Sequence, residues 1–173
     1  MSKVIDTILE HEGGYQNNKA DGANKNSEGE WAGTKFGITP AVYEEEFGKV
    51  PTAKDMRLLS RVEAKKIYEE KYVEPVRRNL KITESDPRFT QVVDMVVNHG
   101  YTGAMAILQR ASGAQVDGKV GPQTRAAFSG VTNDQLADAR VDEYNRIARS
   151  QPEKATFLKG WTNRANSFRD GQR

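Results

Sequence analysis

Residues 8–39 read ILEHEGGYQNNKADGANKNSEGEWAGTKFGIT, and the fold turns on how this stretch is taken. It begins as a helix, breaks at Gly13-Gly14, passes through a long polar and glycine-rich run, and closes on Phe36-Gly37-Ile38 just before the helix signal Thr39-Pro40. Upstream, Ser2 can cap a helix in which Val4, Ile5, Ile8 and Leu9 recur at helical spacing, so one face packs inward. Glu12 lies four residues beyond Ile8, on the apolar side of the last turn. The helix dipole does not favour a carboxylate there, and partial burial favours its neutral form. A general acid accounts for such a placement, and an exposed helix-end glutamate beside His11 fits the same letters.

The run 16–30 mixes Asp21, Gly22, Glu28, Gly29 and Glu30 with several asparagines and offers little to build a core. It reads as a loop or short β excursion over a groove of sugar or peptide size, anchored by Trp31 and by Phe36-Gly37-Ile38. This is the only place where strand is expected. The fold class expected is therefore mainly α (α+β), with a small irregular β lobe near the N-terminus and a helical C-terminal subdomain.

Beyond the lobe the pattern is helical. Thr39-Pro40 caps a helix running to Phe47, and Gly48 and Pro51 interrupt it. Ser60 and Glu63 form a capping box for a longer helix from about 61 toward 79. Residues 89–97 are strongly apolar and read as helix. Gly100 separates them from a second helix, 102–111, and Asp94, Asn98 and Gln109 can bury a polar network, which must be hydrogen-bonded. The connection GAQVDGKVGP turns at Asp117-Gly118 and Gly121-Pro122. Closing helices are expected at 124–128, 136–148 and 155–168, the last placing Phe157, Leu158, Trp161, Ala165 and Phe168 on one side. The domain boundary is drawn between 1–93, a catalytic region, and 94–173, a helical region packed tightly on it.

Composition narrows the chemistry. The 173 residues suit one ordinary domain or two small units, and 36% hydrophobic content sustains a modest core. With no cysteine there is neither disulfide scaffold nor thiol chemistry. His11 and His99 are far apart and lack ligand spacing, so no metal and no cofactor are expected. No phosphate-binding loop or dinucleotide fingerprint appears, and Ser112 and Ser129 lack a nucleophile elbow. The start of the chain is too interrupted by Asp6 and Glu10 for a signal peptide, and no run approaches a membrane span. Residues 1–99 hold 15 Lys/Arg against 17 Asp/Glu, and residues 100–173 hold 11 against 7. The basic second half would attract a polyanion such as wall polymer, or be only a solvated surface. It lacks the dense basic helix of a duplex reader, so no nucleic acid is expected.

Glycoside hydrolysis needs a proton donor and usually a second carboxylate. Glu12 and Asp21 are the candidates, with Glu28 and Glu30 as spares for the second. Thr34 can bond a catalytic water or that second carboxylate. Tyr15, Trp31, Phe36 and Tyr72 offer aromatic faces for sugar rings, although packing accounts for them as well, and for Tyr72 it is the preferred account. Asp94 and Asn98, one helical turn apart, read as a structural pair or a cleft floor that meets substrate.

Glu12-Gly13-Gly14-Tyr15, then Asp21, then Thr34-Lys35-Phe36-Gly37-Ile38-Thr39, resembles the opening signature of glycoside hydrolase family 108, the N-acetylmuramidases found among phage endolysins and secretion activators. Ala64, Ile67-Tyr68, Tyr72, Asp94, Asn98, Gly100 and Leu108-Gln109 continue the match. Asp117-Gly118, Gly121-Pro122, Thr124 and Gly160-Trp161-Asn163-Arg164 resemble that family's C-terminal predicted peptidoglycan-binding region. The resemblance implies a lysozyme-like fold and hydrolysis of the β-1,4 bond between N-acetylmuramic acid and N-acetylglucosamine, with Glu12 as proton donor and Asp21 and Thr34 completing a Glu, Asp and Thr set. It implies bacterial peptidoglycan as partner and an endolysin made in the host cytoplasm that reaches the wall when a holin opens the membrane; a monomer without stable membrane insertion is the default expectation. A non-catalytic wall-binding or assembly protein and a lytic transglycosylase are the alternatives. The chain departs from the family where a DPADPGG run is expected, having residues 18–24 and a longer insertion through Glu30, and it has Val73 where tryptophan commonly follows the tyrosine.

Overall fold

The computed structural model describes residues 3–171, with His11 described by its backbone alone. Ser2, the expected first cap, and the side chain of His11 lie outside the described residues. The chain divides into two compact units, 1–73 and 74–173.

In the first unit, α1 (Lys3–Glu12) buries Val4, Ile5, Ile8 and Leu9, the stripe read from the sequence. It packs on α4 (Arg61–Tyr68), which supplies Ala64, Ile67 and Tyr68. Each Val, Ile or Leu side chain among these, taken fully out of water, contributes roughly 1.5–3 kcal/mol. Between them lie α2 (Pro40–Phe47), capped by the Thr39 side chain and ended by Gly48 at φ 61, and α3 (Ala53–Leu58). Helix α3 has no counterpart in the sequence reading. It is started by a capping box in which Thr52 and Asp55 bond each other's backbone N–H.

The β lobe does not form. Among the described residues there is no strand or sheet, so the α+β assignment gives way to an essentially all-helical fold. Residues 13–39 pair only through the isolated bridges Gln16 to Thr34, Lys25 to Trp31 and Lys35 to Ile38. The reason lies in the asparagines and in left-handed backbone. Asn26 Oδ1 accepts the N–H groups of Glu28 and Glu30 at 3.1 and 2.9 Å, and its Nδ2 donates to the Pro51 carbonyl at 3.0 Å. Asn18 and Asp21 accept from Ala20 and Ala23 in the same manner. Side chains thus take backbone groups that a ladder would need. Positive φ at Gly29, Gly33, Phe36 and Gly37 reverses the chain before any strand can extend.

The helix expected over 61–79 is interrupted. Helix α4 passes into a π-helical turn, Glu69–Val73, and then into α5 (Glu74–Leu80). Pro75 has no N–H for the carbonyl four residues back, and a wider turn before it accommodates that loss.

The second unit is built on α6 (Phe89–Ser112), whose Gly100 has φ 69 and ψ 165, so it is two helices joined at a kink, as the sequence reading expects. Helix α7 (Pro122–Phe128) follows, then α8 (Asn133–Ser150), a 3₁₀ segment (Pro152–Phe157) and α9 (Leu158–Asn166). Helix α8 packs on both α6 and α9. Phe157, expected on the buried side of the last helix, lies on the 3₁₀ segment and is 56% exposed.

The expected polar network is two networks. Asp94, buried, takes Arg140 Nη2 on Oδ2 at 2.6 Å and Arg164 Nε and Nη2 on Oδ1 at 3.0 and 2.8 Å, while Asn98 bonds back to it at 3.1 Å. Arg140 is fully buried, and its Nε and Nη1 lack hydrogen-bond partners, but its guanidinium lies 5.3 Å from the Phe168 ring centre. Gln109 organises the other network. Its amide donates to Asp117, to the Lys119 carbonyl and to Thr124 Oγ1, and accepts the N–H groups of Asp117 and Gly118.

Candidate active site

Glu12 ends α1, and Gly13 follows it at φ 69. Its carboxylate is half-buried against the turn Lys35-Phe36-Gly37-Ile38, which is closed by reciprocal backbone bonds of 3.2 and 2.8 Å between Lys35 and Ile38. Phe36 and Gly37 both have positive φ, 53 and 75. That conformation is uncommon for an aromatic residue and costs of order 1 kcal/mol or more, so the surroundings must hold it. The Tyr68 hydroxyl does so by donating to the Phe36 carbonyl at 2.9 Å. A Cβ on Gly37 would come within 2.9 Å of Glu12 Oε2 and 2.5 Å of the Tyr68 hydroxyl. Glycine is therefore required twice here, for its φ and for its lack of a side chain.

Tyr72 follows on the π turn, its ring centre 5.0 Å from that of Tyr68. Burial pushes the Tyr72 phenol above its ordinary value; Lys71 opposes this, and the negative charges of Glu12, Glu45 and Glu46 add to the rise. Tyr72 is thus a protonated donor within electrostatic reach of Glu12.

The other proposed catalytic residues meet around Asn24. Asp21 is exposed and caps the 3₁₀ turn Gly22–Asn24 by accepting the Ala23 N–H at 3.0 Å. Asn24, fully buried, accepts the Thr34 hydroxyl at 2.7 Å and Gln16 Nε2 at 3.0 Å, and donates to the Asn18 carbonyl at 2.9 Å. Thr34 is further held by two 2.8 Å backbone bonds to Gln16. Asn24, Gln16 and Tyr68 escaped the sequence reading as site residues. One asparagine among several in a polar run carries no mark of burial. The spare carboxylates Glu28 and Glu30 are exposed.

Tyr15 and Trp31 are half-buried neighbours, joined by Asn17, whose Nδ2 donates to the Tyr15 hydroxyl at 3.1 Å and the Trp31 carbonyl at 2.9 Å. Asp94 and Asn98 belong to the second unit, where both Asp94 oxygens are taken by arginines. That unit also has a cavity of about 660 Å³ lined by residues of 81–88 and 129–133 with Asp170. Its carboxylate Asp86 is tied to Arg88 at 2.7 Å, which holds it below the usual carboxylate range, and its other carboxylate, Asp170, accepts the Asn133 amide at 3.1 Å. Among the described residues no three His, Asp or Glu side chains are placed to hold a metal ion.

The sequence profile described as Glycosyl hydrolase 108 matches residues 5–100. The chain belongs to the glycosyl hydrolase 108 family. A second profile, described as Predicted Peptidoglycan domain, matches residues 103–166 of this family 108 hydrolase. The solved structure of Brucella abortus SagA superposes on it with a TM-score of 0.74 at 25% identity, covering 96% of this chain and 89% of that one. No curated protein matches the sequence. The junction of the two profiles falls just after the Gly100 kink. No described helix of this family 108 chain is long and apolar enough to cross a membrane.

Proposed function

We propose that the protein is an N-acetylmuramidase that hydrolyses the β-1,4 bond between N-acetylmuramic acid and N-acetylglucosamine, with Glu12 as general acid. The observation that carries this reading is the seating of the Glu12 carboxylate against Gly37, beside the Tyr68 hydroxyl and within reach of Tyr72. A proton donor must be held in one place to meet a glycosidic oxygen, and a strained turn locked by Tyr68 is a rigid support for it.

Glu12 would protonate the leaving oxygen as the sugar takes on oxocarbenium character. Asp21 would act as the second carboxylate, with Thr34 positioned by Asn24 to orient water or substrate. Tyr72 and Phe36 border Glu12 and would contact the sugar, and Tyr15 and Trp31 would extend that surface. Asp94 and Asn98 enter as residues that build the second unit, and region 94–173 would bind the wall, in keeping with its peptidoglycan profile. Release to the wall by a separate membrane-opening protein fits a chain in which no described helix can span a membrane.

Glu12→Gln should leave circular dichroism and melting unchanged while nearly abolishing release of reducing ends from purified peptidoglycan. Near-normal turnover by the folded variant would sink the assignment.

A further inference from the structure

Three aromatic rings of the first unit, Tyr15, Trp31 and Phe36, are covered by cations. Lys19 and Lys25 both place their ammonium groups 4.8 Å from the Trp31 ring centre, Arg57 lies 4.7 Å from that of Tyr15, and Lys35 lies 5.1 Å from that of Phe36. Four such contacts gather on three rings whose residues lie within positions 15–36.

The contacts are continuous. Asn17 joins Trp31 to Tyr15, Arg57 covers Tyr15, Lys35 Nζ donates to the Arg57 carbonyl and covers Phe36, and the Phe36-Gly37 turn abuts the Glu12 carboxylate. The strip thus leads to the proposed acid. Among the described residues, the ion pairs of this unit engage Lys49, Arg61, Lys65, Lys66 and Lys71, and none of the four cations of the strip. Lys19, Lys25 and Arg57 are exposed. Among nearby acids, Asp21 caps its own turn, and Glu28 and Glu30 lie on a turn closed around Asn26.

We propose that this strip recognises the carboxylates of the peptide stems attached to muramyl residues, and so selects stem-bearing glycan for cleavage beside it. The inference rests on the muramidase reading for its substrate. Cations held over rings have lost part of their hydration and freedom before an anion arrives. Each exposed pair is weak, and several acting together give selectivity.

The test is binding of the full chain to the disaccharide-tetrapeptide with N-acetylmuramic acid at its reducing end, compared with the same compound after its stem carboxylates are converted to amides. This probe lacks the proposed scissile bond, so the result does not depend on whether Glu12 is catalytic. The acid form is expected to bind about tenfold tighter than the amide. The difference should vanish in Lys19→Gln/Lys25→Gln, persist in Lys19→Arg/Lys25→Arg, and collapse for the unaltered chain in about 0.5 M salt. Equal affinity for acid and amide, a difference that survives salt or the folded glutamine variant, or binding of neither probe would overturn the proposal.

Discussion

Gly37 and Glu12 meet without room for a methyl group between them: a Cβ on Gly37 would stand 2.9 Å from Glu12 Oε2. This close approach joins the end of the first helix to a turn whose backbone is already strained, and it makes the position of the proposed acid depend on a residue with no chemistry of its own.

Gly37→Ala should therefore lower stability by about 1–3 kcal/mol, because alanine must adopt φ 75 and displace either Glu12 or the Tyr68 hydroxyl. Turnover at saturating peptidoglycan should fall further than the loss of folded protein explains. Urea melts paired with reducing-end assays measure both effects.

Asn24→Ala tests the support of Thr34. It removes a fully buried amide and leaves the Thr34 hydroxyl and Gln16 without their partner, a cost of about 1–3 kcal/mol. The variant should lose kcat with little change in KM if Thr34 serves the reaction. An unchanged kcat in a folded variant would remove Thr34 from the mechanism.

Asp94→Asn should destabilise the second unit by about 3–5 kcal/mol, since Arg140, with a side chain 0% exposed, would keep its charge without a carboxylate. Chemical denaturation should show this loss. A change below about 1 kcal/mol would mean that the Phe168 ring and Tyr144 hold Arg140 sufficiently.

His99 predicts a pH dependence. Burial, reinforced by Arg140 and opposed by Glu143 and Asp94, pushes its pKa down to about 4. The unfolded value is about 6.5, so between these limits the unfolded chain binds the extra proton. Stability should be complete above about pH 6.5 and decline as pH falls toward 4, by an amount on the order of 3 kcal/mol. Denaturation midpoints across this window should slope in the native protein and flatten in His99→Gln.

Much of the helical layout was legible because its signals are local. Thr39-Pro40, Ser60 with Glu63, Gly48 and Gly100 each act within a few residues, and each ends or starts a helix as read. The β lobe expected within 16–38 does not form, because asparagine and glycine suit an irregular sheet and a side-chain-bonded loop alike. The bonds of Asn18, Asp21 and Asn26 and the left-handed backbone at Gly29, Gly33, Phe36 and Gly37 decide between them. Glu12 was visible as a helix-end acid next to Gly13, but its support was not, since Tyr68 reaches the Phe36 carbonyl across 32 positions. The arginines on Asp94 come from 46 and 70 residues away, which no spacing rule could supply.

The central claim is that Glu12 donates the proton in a hydrolytic cleavage. Mass analysis of purified peptidoglycan digested by the native chain and by Glu12→Gln tests it most directly. The account predicts products ending in reducing N-acetylmuramic acid from the native chain and almost none from the variant. Anhydro-muramyl ends, stem peptides split from intact glycan, or equal product from the folded variant would contradict it.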